Sequence, residues 1–496
     1  MIEAWSLEDV YAAEAVLEDE LASGELMARA VEGLAEVVAA RISQLDAETV
    51  VALVGGGNNG ADALYAVAQL AESGVSCAAA VDLAHVHEGA LEAARAGGVV
   101  VVSGAEALED IAEADIILDG IVGLGGRPGL PAAVAAWVAA IPDDAHVIAV
   151  DVPSGQSADG TAFDPDGVLA DETVTFSVAK PVHLLPLTEQ ACGLLSVVDI
   201  GLTFDTQPSV VRLTFDDVSD LWPVPGSADD KYSRGVVGVV AGSEQYSGAA
   251  VLAVTAAVAA GAGMVRYVGT PTPEGLVRAA VPEAVHGEGR VQAWVIGPGL
   301  DATSTRRDAT IQLDVARSAL AGAEPVLIDA GGLDLVDDDV IGARADRPTL
   351  LTPHAGELAT LLTRLGASPR SRKVVTVARD AVEAEPLRHA RALAERTGMT
   401  VLLKGSTTLV VPADPNQSVY SQADAPPWLA TAGAGDVLAG LIGTLLAGGL
   451  DPDEAGALGA LVHGVSADRA SGGGPVRALR VAHGIPDAVA HLLTRA

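Results

Sequence analysis

Along the first half of the chain, short aliphatic runs alternate with longer segments whose apolar residues recur at helical spacing. The runs are "TVVALVGG", "VSCAAAVD", "GVVVVSG", "DIILDGIVG", "HVIAVDVPSG" and "DETVTFSV". Such alternation predicts a mostly parallel sheet covered by helices on both faces, a doubly wound Rossmann-like α/β unit. Ahead of it, residues about 6–44 read as helix. A stretch rich in Asp, Pro and Gly, "VRLTFDDVSDLWPVPGSADDKYSRG", then interrupts the pattern. The alternation restarts with "GVVGVVAGS" and runs through "GMVRYVG", "AWVIGPGL", "EPVLIDAGG", "PTLLTPHAGE", "TVLLKGSTTLVV" and "WLATAGAGDVLAGLIGTLLAGG". Two α/β domains are expected, 1–215 and 216–496. The segment "SPRSRKVVTVARDAVEAEP" reads as a loop followed by a helix. Gly248–Val265, "GAAVLAVTAAVAAGAGMV", approaches the length of a membrane span. Its Ala and Gly content and lack of basic flanks predict a buried helix instead.

Composition changes the picture in two ways. Half of the 496 residues are hydrophobic but only 3% are aromatic, so the core volume comes from Ala, Val and Leu and the helices should pack closely. The net charge of -37 is spread along the chain, and lysine occurs only at Lys180, Lys231, Lys373 and Lys404. That balance excludes nucleic-acid and anionic-membrane partners, which need basic stripes. A dispersed acidic surface almost without lysine suits a high-salt cytoplasm, and a halophilic source is expected. Cys77 and Cys192 sit in apolar segments and read as buried thiols of a reducing compartment. The first residues carry acids where a signal peptide would be basic, so a cytoplasmic protein is expected.

Glycines at 55, 57 and 60 have the spacing of a dinucleotide fingerprint, with Asp82 closing the next strand. Taken alone, that reads as a dehydrogenase, but no substrate-reduction constellation accompanies it. Four polar turns follow predicted strands: "GGGNNGAD", "DGIVGLGGRPG", "DVPSG" and "TFSVAKP". Singly, Asn58 and Asn59 are turn formers, Asp151 and Ser154 helix caps, and Lys180 a solvated charge. Together they gather an amide, carboxylates and a hydroxyl suited to a hard cation rather than zinc or copper. The ordered motifs, over about residues 5–215, resemble the epimerase domain of bifunctional NAD(P)H-hydrate repair enzymes. The resemblance implies that Asn58, Asn59, Gly60, Ala61, Asp62, Gly123, Leu124, Gly125, Gly126, Arg127, Pro128, Gly129 and Asp151 line the hydrated nicotinamide nucleotide site. It implies potassium at Asn59, Asp119 and Ser154, with Asp151 as acid/base candidate and Lys180 in support. Ala61 and Ala63 stand where the family carries glycines, which a helical backbone would tolerate.

In the second half, "TAGAGDVLAG" is a glycine-rich turn opening a helix, with Asp436 in its first turn. Backbone N–H groups there can stabilise a transferring phosphoryl group while the carboxylate handles a hydroxyl proton. "LLKGSTT" supplies Lys404 and hydroxyls suited to phosphates. "LTPHAGE" places Thr352 as an N-cap, Pro353 at the first helical position and His354 just inside. With "GSEQYSGAA" and "GPGL" ahead of them, these motifs resemble the ribokinase-like ADP- or ATP-dependent dehydratase partner domain, across about residues 225–496. Carried over, Lys404, Gly405, Ser406, Thr407, Thr408 and Gly435 are the nucleotide site, and Ala249, Gly299, His354 and Asp436 contact the hydrate.

The implied activity is repair of NADHX and NADPHX. The first domain interconverts R and S hydrates, and the second dehydrates the S form by phosphorylating its hydroxyl from ADP or ATP with Mg2+. Asp436 is the catalytic group there, and a homo-oligomer is expected. The alternatives are a ribokinase-type small-molecule kinase with a non-catalytic nucleotide-binding N-terminal domain, and a nucleotide-binding scaffold.

Overall fold

The structure is a computed structural model that describes residues 1–82, 85–126, 128–130, 132–366 and 376–494. The chain divides into two compact units, Glu3–Val210 and Val211–Ala496, the latter with Met1–Ile2.

In the N-terminal unit the leading helical stretch forms three helices, Leu7–Val16, Glu18–Ser23 and Glu25–Leu45. Ser6 caps the first by accepting from the Asp9 N–H, and Gly24 breaks the chain with a left-handed φ of 82°. Seven parallel strands follow: Thr49–Val54, Ser76–Val81, Val100–Val102, Ile116–Gly120, His146–Val150, Glu172–Phe176 and Leu194–Val198. In order along the chain they lie 3-2-1-4-5-6-7 across the sheet. The direction of winding therefore reverses between Thr49–Val54 and Ile116–Gly120, where open α/β sheets bind ligands beyond their carboxyl ends. Both turns leaving these two strands are held by close backbone approaches. A Cβ on Gly55 would lie 1.8 Å from the Ile121 carbonyl oxygen, and one on Gly60 2.1 Å from the Gly55 oxygen. Only glycine fits there.

The C-terminal unit winds around Val236–Val240. Met264–Val268 and then Val285–His286 lie on one side of it, and Ala293–Ile296, Val326–Ile328, Thr349–Leu351 and Thr400–Leu403 on the other, all parallel. Thr408–Val411 and Val419–Gln422 continue the sheet antiparallel. "TVLLKGSTTLVV" is thus two strands rather than one run, because Lys404–Thr407 makes the turn between them.

Alanine and glycine allow the close helix packing that the composition predicts. Helix Ser247–Ala259 lies against helix Ala434–Ala447, where a Cβ on Gly440 would meet the Ala253 carbonyl at 2.1 Å. The membrane-like stretch accordingly splits into that helix, buried through Ala250, Ala253, Val254, Ala256 and Ala257, and the strand Met264–Val268. Among the described residues, no helix is long and apolar enough to cross a membrane. Cys77 and Cys192 are free and buried.

Candidate active sites

In the N-terminal unit a cleft of about 370 Å³ opens beyond the strand ends. Asn58, Asn59, Asp62, Gly123, Leu124, Gly125, Gly126, Asp151 and Lys180 line it. Gly60 and Ala61 do not, despite the expectation: helix Asn58–Glu72 turns them into the protein, where both are buried. Ala61 and Ala63 are helical and fully covered, so their methyls fill the core and leave the cleft alone. Pro128 and Gly129 also lie off the cleft, Gly129 donating to the Gly155 carbonyl at 3.0 Å. Arg127 lies outside the described residues. The sequence reading missed Tyr11 and Glu14 on helix Leu7–Val16, which also face the cleft. Their helical spacing marks them only as one face of a helix, with no sign of what that face meets.

Asp151 and Lys180 form a buried pair. Lys180 Nζ donates to Asp151 Oδ1 at 2.6 Å, to Thr175 Oγ1 at 2.9 Å and to the Phe176 carbonyl at 3.2 Å. Thr175 donates to the same carboxylate oxygen at 2.8 Å. Burial pushes the Asp151 carboxyl up, but the Lys180 ammonium and these hydrogen bonds outweigh it and hold it below the usual carboxylate range. Asp151 has a φ of 65°, uncommon for a residue with a side chain. Its amide donates to the Val174 carbonyl at 2.7 Å. His183 Nε2 approaches its carbonyl at 2.8 Å, while His183 Nδ1 accepts from the Lys180 N–H. Burial, then the Lys180 charge, lowers His183 to about 4, so the ring is neutral and its Nε2–H donates to Asp151.

Asp62 is the counterpoint. It is 6% exposed and its Oδ1 has no hydrogen-bond partner. Burial first, then the charges of Asp151 and Glu14, raise it to about 8, so it is a neutral acid facing an ionised one.

The Asp119 and Ser154 side chains also meet. Asp119, fully buried, accepts from Ser154 Oγ at 2.6 Å, the Ser154 amide at 2.8 Å and the Ile121 amide at 3.2 Å. These bonds lower its pKa, but burial dominates and leaves it at about 6. Asn59 Nδ2 donates to the Val150 carbonyl, which aims Oδ1 at Gly123; a Cβ there would lie 2.2 Å from it.

In the C-terminal unit, Lys404 leaves the end of its strand and reaches Asp329 Oδ1 at 2.7 Å and Glu357 Oε2 at 3.8 Å. Burial opposes its charge, yet Asp329 and Glu357 raise its pKa. Thr352 Oγ1 donates to Asp329 Oδ1 at 2.9 Å, so Thr352 is a buried anchor rather than the expected N-cap. The helix starts at Ala355, and the His354 ring caps it, Nδ1 accepting from the Gly356 and Glu357 amides at 3.0 and 3.2 Å. The capping atom is a ring nitrogen, a role the usual hydroxyl and carboxylate signals do not reveal. Asp436 sits in the first turn of helix Ala434–Ala447, behind Gly433 at a φ of 89°. Burial, then the charges of Asp329 and Glu357, push its carboxyl up to about 7 against the opposing pull of Lys404.

A cavity of about 140 Å³ is lined by Lys404, Gly405, Thr408 and Gly435 among others, and one of about 390 Å³ by His354 and Glu357. Ser406, Thr407 and Asp436 line neither. Gly299 and Ala249 adjoin: a Cβ on Gly299, whose φ is 63°, would lie 2.6 Å from the Ala249 methyl. Asp329 and Glu357, the partners of Lys404, were not among the expected site residues. Asp329 had only a common signal, an acid directly after the strand in "LIDAGG".

Two family models match the chain. NAD(P)H-hydrate dehydratase covers residues 237–479, and the YjeF-related protein N-terminus covers residues 23–182. A bifunctional NAD(P)H-hydrate repair enzyme of Mycobacterium tuberculosis is 42% identical over 467 residues, 91% of each chain. The chain belongs to the bifunctional NAD(P)H-hydrate repair enzyme family. Another member, from Mycobacterium leprae, is 41% identical over 98% of this chain and 99% of its own. A solved Bacillus subtilis structure, an ADP/ATP-dependent NAD(P)H-hydrate dehydratase co-crystallised with ATP and Mg2+, is 23% identical. It covers 57% of this chain and 98% of its own at a TM-score of 0.46. In this repair-enzyme chain the Asp151–Lys180 pair falls within the YjeF-related match, and Lys404 and Asp436 within the dehydratase match.

Proposed function

We propose that this repair enzyme acts on NADHX and NADPHX in two steps, the N-terminal domain (1–215) interconverting R and S hydrates and the C-terminal domain (216–496) dehydrating the S form with ADP or ATP. The observation carrying this reading is a pair of strand-end sites of different chemistry on one chain of this family. The first holds an ionised and a neutral carboxyl in a single cleft, and the second sets a carboxyl with a raised pKa at a helix start beside a lysine.

In the first site, Asp151 is ionised and Lys180 fixes its orientation, so Asp151 serves as the acid/base group, taking the proton of the ring hydroxyl as the neighbouring C–N bond opens to the aldehyde and returning it when the ring recloses on the other face. Asn58, Asn59, Asp62 and Gly123–Gly126 surround the ring and its phosphates. Potassium fits beside them. Asp119 is a fully buried carboxyl bonded only to neutral donors, and a monovalent cation among Asn59, Asp119 and Ser154 oxygens would supply the missing countercharge and firm the loop.

In the second site, Asp436 takes the proton of the ring hydroxyl as that oxygen attacks the terminal phosphoryl group. The backbone N–H groups opening helix Ala434–Ala447 stabilise the phosphoryl oxygens, and Lys404 offsets their charge. Expulsion of phosphate, with loss of the neighbouring ring proton, restores the dihydropyridine. Asp329, Glu357 and Asp436 outnumber Lys404 in negative charge, so a polyphosphate needs a further cation, and Mg2+ arriving with the nucleotide fits that need. Ala249, Gly299 and His354 would contact the hydrate. A homo-oligomer working in a salt-rich cytoplasm completes the reading.

The test is recovery of dihydronicotinamide absorbance from mixed epimers with each nucleotide in concentrated KCl. Full recovery requires both activities, and partial recovery only the second. No recovery would sink the proposal. Transfer of labelled phosphate to a stable product would instead support a small-molecule kinase.

A further inference from the structure

The cavity lined by Lys404, Gly405, Thr408 and Gly435 also presents Gln422, Asp424 and His463, polar side chains that the phosphate contacts do not use. His463, on helix Pro452–Ser471, lines it, is 5% exposed, and its Nε2 is buried without a hydrogen-bond partner. Its polar neighbours are already engaged. Gln422 accepts from the Leu213 amide at 2.7 Å and donates to the Leu213 carbonyl at 3.3 Å and to Asp424 at 3.2 Å. Lys404 is held by Asp329. A buried ring nitrogen without a partner is rare in folded proteins and calls for an explanation.

The chemistry of the missing partner follows from the ring's charge. Burial alone lowers His463 to about 4, so at neutral pH it offers one N–H donor and one lone pair and no positive charge. It therefore adds little to a phosphate polyanion, which cations bind. It suits a heteroaromatic base, whose edge carries ring lone pairs and an amino group. Leu429, Leu438 and Ala460 in the same lining supply apolar surface for the faces of such a ring.

We propose that His463 hydrogen-bonds the base of the bound adenine nucleotide, a recognition contact separate from the phosphate contacts at Lys404–Thr408. This rests on the reading of the cavity as the nucleotide site. The experiment is titration calorimetry of the full-length protein with ADP and with inorganic pyrophosphate, each with Mg2+, for the wild type, His463→Leu and His463→Asn. Loss of one hydrogen bond should weaken ADP about tenfold in His463→Leu and leave pyrophosphate within about twofold. His463→Asn, which retains a polar edge, should fall between, and kcat at saturating ADP should change little. Equal ADP affinity in the variants, or an equal loss for ADP and pyrophosphate, overturns the inference. If His463→Leu fails to melt cooperatively, His463→Asn decides, and ADP binding indistinguishable from wild type overturns it. Should the wild type itself bind pyrophosphate but gain nothing from the base of ADP, the nucleotide reading fails as well. Tight ADP binding by wild type and variants alike would sink only the role of His463.

Discussion

Each half of the chain sets one lysine against one aspartate, at 2.6 Å in the first site and 2.7 Å in the second, yet the two lysines are placed differently. The Lys180 side chain is 1% exposed and gives its hydrogen bonds to Asp151, Thr175 and a backbone carbonyl, whereas the Lys404 side chain is 21% exposed in a hairpin turn. A site that only moves protons gains from an enclosed, pre-oriented pair. A site that receives a polyphosphate needs a cation within the ligand's reach. On the proposed reading, the same residue type serves as an internal brace in one domain and as a ligand contact in the other.

The largest effect should come from Asp436→Asn. Loss of the proton acceptor should slow dehydration by roughly 10²–10⁴-fold while R/S interconversion, followed separately by chromatography, is unchanged. Matching losses in both reactions would break the separation of roles. Next, Lys180→Met strands the buried Asp151 charge and should cost the N-terminal domain about 3–5 kcal/mol. Lys404→Met should cost less, because that lysine is partly solvated, although its partner Asp329 is buried. Denaturant unfolding of each variant measures that contrast.

A pH comparison comes third. Asp436, at about 7, must be ionised to act, so dehydration should rise with pH through that value. Asp151 is held below the ordinary carboxylate range, so epimerisation should show no acid limb near neutrality from this group. A shared limb near neutrality in both rates would erase the distinction. The smallest effect is expected for Ala61→Gly. Glycine inside helix Asn58–Glu72 should cost about 1 kcal/mol with no change in the epimerase KM, since the methyl faces the core.

Much of the first site was legible because strand ends were legible. A parallel sheet puts the residues after its strands on one edge, so Asn59, Asp119, Asp151 and Lys180 could be grouped without knowing a single distance. The grouping could not say which of residues 58–62 face outward. The helix beginning at Asn58 decides that, sending Asp62 to the cleft and Gly60 and Ala61 inward. In the second domain, Lys404 and Asp436 were readable from their turns, but Asp329, Glu357 and the capping role of His354 were not. Their signals are common ones, an acid after a strand and an acid in a helix's first turn.

Hydrophobic periodicity and turn chemistry are local properties, so the residue pattern alone was enough to specify the two α/β units, their strand-end turns and the lysines placed in them. Charge states and partners came from the folded arrangement: the neutral Asp62 opposite the ionised Asp151, Tyr11 and Glu14 brought to the cleft, and His463 buried without a hydrogen bond to its Nε2. Burial and charge proximity arise between residues far apart in the chain, and no local pattern encodes them.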